Sequence, residues 1–320
     1  MYVFVVDIYL LIIVLESKSS VTVKLLPIVT SLGSPTVKVL FAVKSWAPVG
    51  ETSTSFDVPA NSIVLDLFSG SGSFGLECLS RGAKFITLPE YCGGLKTENG
   101  LLKPPSSNEN EHLVLNELKK YAKSNQIFVL VGSIAILNSE GKIFNRSFII
   151  DDNGFIINRY DKVHLFDVDL SETEKYRESN AVSGGEKVNV CKTKFGILGQ
   201  TVCYDIRFPY LYRELAKAGA QIIFIPAVFT QKTGEAHWHV LNRARAIENG
   251  VFIVSPGAIG EIQGGGGGYG HSLIVNPWGE IISDGGDKRS VTYAEIDLEE
   301  VELVRNRIPS LTHDKKIILS

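Results

Sequence analysis

From residue 62 onward, short apolar runs alternate along the chain with amphipathic stretches, a pattern that predicts strands alternating with helices. The run IFVLVGSIAIL at 127–137 is apolar on both faces, which is typical of a strand buried on both sides. Before it, NEHLVLNELKKYAKSN at 110–125 places Val114, Leu118 and Tyr121 on one face of a predicted helix.

A hairpin and a second set of units follow this strand. Residues 142–162 form two strand-like runs around Asp152-Asn153-Gly154, which is a turn sequence. The later units are predicted in the order strand, helix, strand, helix: FGILGQTVC (195–203), PYLYRELAKAGA (209–220), QIIFIPAVF (221–229) and TGEAHWHVLNRARAIENG (233–250). Hairpins mixed with strand–helix units favour a layered α/β fold over a purely parallel sheet.

Residues 1–61 differ from the rest and are predicted to be an N-terminal extension. They lack helical periodicity, although VTVKLLPIV (21–29) and TVKVLFAVK (36–44) have the composition of short strands. The apolar run IYLLIIVL (8–15) is shorter than the roughly 20 residues that span a membrane. No Lys or Arg precedes this run, as one would in a signal peptide. We therefore expect no membrane anchor.

Charge and cysteine content narrow the function classes. The 320 residues carry a formal net charge of -3, with both signs spread along the chain, which gives no footprint for nucleic acid or an acidic membrane surface. The 4 cysteines include no C-x-x-C pair, so we expect reduced thiols and a cytoplasmic protein. His237 and His239 would point to different faces of a helix, so we expect no metal site there.

A glycine loop gives the first candidate chemistry. The segment Gly70–Gly75 fits G-x-G-x-x-G between a predicted strand and helix, and Glu90 follows at the distance of an acid that binds ribose hydroxyls. Residues 62–84 resemble the first motif of ribosomal-RNA guanine methyltransferases, which bind S-adenosylmethionine. Their second motif, D/N-P-P-Y/F, is represented only by KPPS at 103–106. A module that binds S-adenosylmethionine is therefore one alternative.

Cys203 and Lys162 give the second candidate chemistry. Cys203 ends a predicted strand and precedes a helix, whose N-terminus lowers the pKa of a thiol and supplies N–H groups to an oxyanion. Lys162 lies in an apolar stretch, where an ammonium needs a carboxylate or a developing anion. The alternatives are a buried structural cysteine, a solvated lysine and, for Glu90, an ordinary carboxylate at a strand end.

Three short motifs resemble one known family. Glu90 in LPE, Lys162 in Y-x-K-x-H-L-F and Cys203 in CYDxRFP are similar to the signatures of the nitrilase superfamily, the carbon–nitrogen hydrolases. The resemblance runs from about residue 82 to about residue 309 and is strongest to the branch of ω-amidase and deaminated-glutathione amidase. It implies a four-layer α-β-β-α sandwich, usually assembled as a homodimer or larger homo-oligomer.

The same resemblance implies a mechanism that needs no cofactor and no metal. Cys203 attacks a small amide and forms a thioester, Glu90 acts as the general base, and Lys162 binds the oxyanion. Glu178 and the backbone N–H of Tyr204 are implied as supporting groups. Small-molecule amides, rather than nucleic acids or membranes, are therefore the expected partners.

Arg207 is the candidate ligand for a substrate carboxylate, because a guanidinium pairs with carboxylates in bidentate fashion; the alternative is a structural salt bridge.

The predicted function is hydrolysis of a small carboxylate-bearing amide to acid and ammonia. Nitrile hydrolysis and a catalytically impaired fusion product are the alternatives. The predicted domains are an extension at 1–61, a methyltransferase-like segment at 62–84 that replaces the family's first strand and helix, and the hydrolase domain at 85–320.

Overall fold

The structure is a computed structural model of the chain. It describes residues 38–42, 62–66, 84–98, 101–172, 174–261, 267–288 and 294–318. The predicted glycine loop at 70–75, the apolar run at 8–15 and the strand predicted at 21–29 lie outside the described residues.

Twenty strands are described. In chain order they are β1 (Lys38–Ala42), β2 (Ser62–Asp66), β3 (Phe85–Thr87), β4 (Thr97–Glu98), β5 (Leu101–Leu102), β6 (Ser106–Ser107), β7 (Phe128–Leu137), β8 (Ile143–Ile150), β9 (Ile156–Asp161), β10 (Asp167–Asp169), β11 (Lys175–Arg177), β12 (Val190–Thr193), β13 (Gly196–Gln200), β14 (Ile222–Phe224), β15 (Phe252–Ser255), β16 (Ile259–Glu261), β17 (Gly267–Tyr269), β18 (Leu273–Val275), β19 (Ile281–Asp284) and β20 (Ala294–Glu295).

Two sheets form the frame of the molecule. The first has eight strands in the order β20-β1-β2-β3-β7-β8-β9, with β6 also paired to β7. The second has six strands in the order β12-β13-β14-β15-β18-β19. Each sheet has a parallel centre and antiparallel flanking strands. This mixture is what alternating strand–helix units and hairpins predict.

Four helices of nine or more residues occur in the described part of the chain: α1 (Leu113–Asn125), α2 (Pro209–Lys217), α3 (His239–Asn249) and α4 (Glu299–Arg307). Proline begins α2, where its missing N–H costs no hydrogen bond, and Gly219 follows the helix in a left-handed conformation. The turn Gln231–Thr233 and the π turn Gly234–Trp238 lead directly into α3. The predicted starts and ends of α2 and α3 are therefore confirmed within a few residues.

A cluster of phenylalanines lies between the two sheets. Phe85 and Phe128 come from the first sheet, and Phe224 and Phe252 come from the second. The ring centres of Phe85 and Phe224 lie 5.7 Å apart in an edge-on contact. Such a contact joins the sheets through apolar surface and ring electrostatics together.

Three of the described helices, α1, α2 and α3, pack on the outer faces of the sheets, whereas Val301 of α4 packs with the cluster between them. Leu115 of α1 packs with Val129 and Val131 of the first sheet, whereas α2 and α3 pack on the second sheet. Leu130, between those two valines, faces the other sheet, so β7 is buried on both faces as its sequence predicts. The layers are therefore helix, sheet, sheet and helix, and the predicted sandwich is confirmed.

β2 lies in the segment predicted to replace the family's first strand and helix. Its backbone pairs in parallel with β3, with Ile63 opposite Phe85, and on its other side with β1. β1 belongs to the predicted extension at 1–61, so backbone from both N-terminal segments lies in the first sheet. The proposed domain limits stay a prediction.

Among the described residues, no helix combines the length and the apolar character that a membrane span requires.

Gly132 of β7 lies against the chain that carries Glu90. A Cβ at this position would come within 1.9 Å of the Leu88 carbonyl oxygen and 2.3 Å of the Pro89 carbonyl oxygen. We expect Gly132→Ala to lower the free energy of unfolding by about 3 kcal/mol or more, because backbone has to move. Chemical denaturation measures this loss.

Gly141→Ala is the matched control. A Cβ there meets no described atom within 4 Å, so only the left-handed backbone of Gly141, with φ of 78°, is strained. Its expected cost is about 1 kcal/mol. Equal losses in the two variants would contradict the steric explanation.

Candidate active site

The ammonium of Lys162 lies in the interior between two carboxylates. Its Nζ donates to Glu90 Oε1 at 3.0 Å and to Glu178 Oε2 at 2.9 Å. The side chains of Lys162 and Glu90 are only 2% and 4% exposed, so water offers almost no alternative partner. The structure thus brings together three residues that lie far apart in the sequence.

These carboxylates keep the lysine charged. Burial alone would lower the pKa of Lys162, but the negative charges of Glu178 and Glu90 outweigh burial and hold this pKa well above its ordinary value. A buried ammonium with two carboxylates is a fixed cation, and an oxyanion formed beside it would be stabilised without solvent reorganisation.

Cys203 faces this cluster from the second sheet. It follows β13, has a left-handed φ of 48°, and begins the 3-10 turn Cys203–Arg207; α2 starts only at Pro209. Its backbone N–H donates to the Pro226 carbonyl at 2.9 Å. The side chain is buried and lines the same pocket as Glu90 and Lys162.

The pKa of the Cys203 thiol is shifted in the direction opposite to the one expected at a helix N-terminus. Burial raises this pKa well above its ordinary value, the Glu90 carboxylate raises it further, and the Lys162 ammonium lowers it in part. The thiol is therefore protonated in the resting site. An attack by sulfur then needs a base, and Glu90 is the adjacent one.

Asp205, in the 3-10 turn that begins at Cys203, accepts hydrogen bonds from residues on both sides of Lys162. Its Oδ2 accepts from the Tyr160 hydroxyl at 2.6 Å, and its Oδ1 accepts from the His164 backbone N–H at 3.0 Å. Tyr160 and His164 flank Lys162 in the Y-x-K-x-H motif. The spacing of the motif thus has a structural reason. The buried carboxylate of Asp205 binds the residues two positions before and two positions after Lys162, and so holds this segment next to Cys203.

Two further polar groups, which sequence reasoning missed, hold the carboxylates. The buried Asn145 side chain donates to Glu90 Oε1 at 2.9 Å and to Glu178 Oε1 at 3.2 Å. The Val228 backbone N–H donates to Glu90 Oε2 at 2.8 Å. Both oxygens of Glu90 are therefore bonded inside the pocket, which does not fit the alternative of a ribose ligand.

The pocket at Cys203 has a cavity volume of about 130 Å³. Aromatic and aliphatic side chains form most of its wall, and threonines add hydroxyl groups: Tyr91, Leu95, Thr97, Leu102, Phe166, Tyr176, Tyr204, Phe229, Thr230 and Thr233. A larger cleft of about 370 Å³ between α3 and α4 contains none of the candidate catalytic residues. The small cavity volume suits a small molecule.

Arg207 lies beside this pocket rather than in its lining. Its guanidinium lies over two lining rings, 5.8 Å from the ring centre of Tyr204 and 5.4 Å from that of Phe229. Burial lowers the pKa of Arg207. Within the part of the chain that the structure describes, no carboxylate forms an ion pair with this guanidinium, so the salt-bridge alternative has no described partner.

His237 and His239 diverge, as their helical spacing predicts. His237 Nδ1 lies 3.3 Å from the Arg207 guanidinium, whereas His239 Nε2 lies 3.0 Å from Asp284 Oδ2. The two imidazoles therefore do not form a pair.

Comparison with known proteins agrees with the motifs. The carbon-nitrogen hydrolase family matches residues 68–306. The deaminated glutathione amidase of Synechocystis sp. PCC 6803 is 37% identical over 237 residues, which cover 73% of this chain and 86% of that protein. The human omega-amidase NIT2 is 31% identical over 254 residues, covering 78% of this chain and 89% of that protein.

The fold has solved counterparts. Saccharomyces cerevisiae Nit3, a member of branch 10 of the nitrilase superfamily, superposes with a TM-score of 0.61 at 26% identity, covering 85% of this chain and 94% of that chain. The family match begins at residue 68, inside the methyltransferase-like segment at 62–84. These relatives give the methyltransferase resemblance no support.

We predict opposite shifts of Cys203 ionisation in two variants. Glu90→Gln removes a negative charge that raises the thiol pKa, so the thiolate should appear at lower pH than in the wild type. Lys162→Met removes the charge that lowers this pKa, so the thiolate should appear at higher pH. The ultraviolet absorbance of the thiolate, followed against pH, measures both shifts. Shifts of the same sign would contradict the electrostatic assignment.

Proposed function

The chain belongs to the carbon–nitrogen hydrolase family, and we propose that it hydrolyses a small, carboxylate-bearing linear amide to an acid and ammonia. The observation that carries this proposal is the buried Lys162 ammonium, bonded to Glu90 and Glu178 in the pocket of Cys203. The cluster supplies a nucleophile, a base and a fixed cation, which are the groups that amide hydrolysis needs.

The acylation half of the reaction begins with the protonated thiol. Glu90 takes the proton from Cys203 as the sulfur forms a bond to the amide carbon. The carbonyl oxygen becomes an oxyanion beside Lys162, with the Tyr204 backbone N–H as the second proposed donor. Glu90 then gives the proton to the nitrogen, the carbon–nitrogen bond breaks, and ammonia leaves a thioester on Cys203.

The second half returns the site to its starting state. Glu90 takes a proton from water, and the hydroxide oxygen attacks the thioester carbon beside the same ammonium. The carbon–sulfur bond breaks, the acid leaves, and the proton held by Glu90 returns to Cys203. Glu178 stays bonded to Lys162 in both halves and acts as the positioning carboxylate.

The proposed substrate carboxylate follows from Arg207. This guanidinium lies against the rings of Tyr204 and Phe229 at the edge of the pocket, and a substrate carboxylate would supply the anion that no described residue provides. The curated relatives named deaminated glutathione amidase and omega-amidase support an amide rather than a nitrile.

We further propose a cytoplasmic location and a homodimer or larger assembly. The free thiols of Cys92, Cys191 and Cys203 support a reducing compartment. The exposed apolar side chains of Val240 and Ile247 on α3 support a contact through the outer helix layer.

We expect a covalent intermediate on Cys203. When the enzyme is mixed with an amide substrate and quenched rapidly, intact-protein mass spectrometry should show an added mass equal to the amide minus ammonia. Cys203→Ala should lose this adduct and at least about 1,000-fold of the turnover rate. Cys191→Ala, which alters a buried cysteine between the sheets, is the control. Hydrolysis that survives in Cys203→Ala would sink the mechanism.

Arg207→Ala should separate charged from neutral substrates. For a four-carbon dicarboxylic acid monoamide, we expect KM to rise about 10- to 100-fold, since a hydrogen-bonded charge pair is lost. Butanamide, which lacks the carboxylate, is the matched substrate and should change by less than about 2-fold. Steady-state ammonia release measures both. If the two amides respond equally, Arg207 does not bind the carboxylate.

A further inference from the structure

A second cluster of coordinating side chains lies outside the pocket of Cys203. His239 begins α3, His271 precedes β18, and Asp284 ends β19. One ligand atom from each residue lies within 4.8 Å of the others. All three side chains are partly exposed, at 30%, 22% and 33%, so an ion from solvent has access to them.

Asp284 bridges the two imidazoles. Its Oδ2 lies 3.0 Å from His239 Nε2, and its Oδ1 lies 3.0 Å from His271 Nδ1. The Gly286 backbone N–H also donates to Asp284 Oδ1, at 2.8 Å. The carboxylate is thus held in place between the two rings.

The position of His271 is fixed before any ligand arrives. Its backbone has a left-handed φ of 48°, its N–H donates to the Gly286 carbonyl at 2.8 Å, and its carbonyl accepts from Trp238 Nε1 at 2.7 Å. Its ring stacks on Tyr269 with centres 4.5 Å apart. A strained conformation held by this many contacts is typical of a functional position.

We propose that His239, His271 and Asp284 bind one divalent transition-metal ion of the Zn²⁺ class, with water completing the coordination. Zinc–ligand bonds of about 2.1 Å place tetrahedral donors about 3.4 Å apart. This is close to the distances from Asp284 Oδ2 to His239 Nε2, 3.0 Å, and to His271 Nδ1, 3.1 Å. Each neutral imidazole then carries its proton on the other ring nitrogen, so the ion replaces two hydrogen bonds with coordinate bonds.

The cluster lies behind one wall of the catalytic pocket. Tyr269, which stacks on His271, belongs to β17, and Gly267 of the same strand lines the pocket. The Tyr269 backbone N–H also donates to the carbonyl of Phe229, another lining residue. A bound ion would therefore link α3 and β19 to His271, whose ring packs on β17, the strand in this wall.

Calorimetric titration with ZnCl₂ tests the site. The titrations use the full chain with Cys203→Ala, because the catalytic thiol is a competing ligand. We expect one ion per chain, and an affinity at least about 10-fold weaker after His239→Ala or Asp284→Asn, since even outer-shell changes cost this much. His313→Ala, which removes an exposed histidine elsewhere, should leave the affinity unchanged.

Asp284→Asn guards against an effect of misfolding, because it removes the charge but keeps the size of the side chain and one acceptor oxygen. Weaker binding by a variant whose circular dichroism and thermal transition in the absence of metal match those of the parent supports the site. Absence of saturable binding in the parent chain, or equal affinities in the parent and both cluster variants, would overturn it.

Discussion

The buried ammonium of Lys162 is the constraint on which the rest of the site depends. A cation removed from water is stable only if anions and hydrogen-bond acceptors surround it, and losing one partner of such a pair costs several kcal/mol. Glu90 and Glu178 meet this demand from separate parts of the chain. Every element that carries one of the three residues therefore has to be in place before any of them is stable in the interior.

This constraint explains why two sheets are needed. Glu90 follows β3 and Lys162 follows β9, both in the first sheet, whereas Cys203 follows β13 in the second. The hydrogen bond from the Val228 backbone to Glu90 crosses between the sheets, as do the bonds that Tyr160 and His164 donate to Asp205. Aromatic packing between the sheets sets the separation at which these bonds form, so the core fixes the distance between Glu90 and Cys203.

Periodicity and turn residues were sufficient to predict α1, α2, α3, the hairpin of β8 and β9, and the layered class, because local spacing decides these features. Asn145 and Asp205 were not predicted to be important. Asn145 lies in a strand where an amide resembles a solvent-facing residue, and its partner Glu90 is 55 residues away. The expectation that a helix N-terminus lowers the pKa of Cys203 was wrong, because burial and the Glu90 carboxylate raise this pKa. Long-range partners, unlike periodicity, leave no local pattern.

The cluster of Lys162 with two glutamates and the cluster of Asp284 with two histidines differ in whether a metal ion can enter them. In the catalytic pocket both carboxylates bond a permanent cation, so a metal ion would have to displace Lys162 and leave an ammonium unpaired in the interior. At Asp284 the carboxylate faces two imidazoles, whose ring nitrogens are common metal ligands. A divalent ion added to the enzyme should therefore select the histidine cluster over the glutamates.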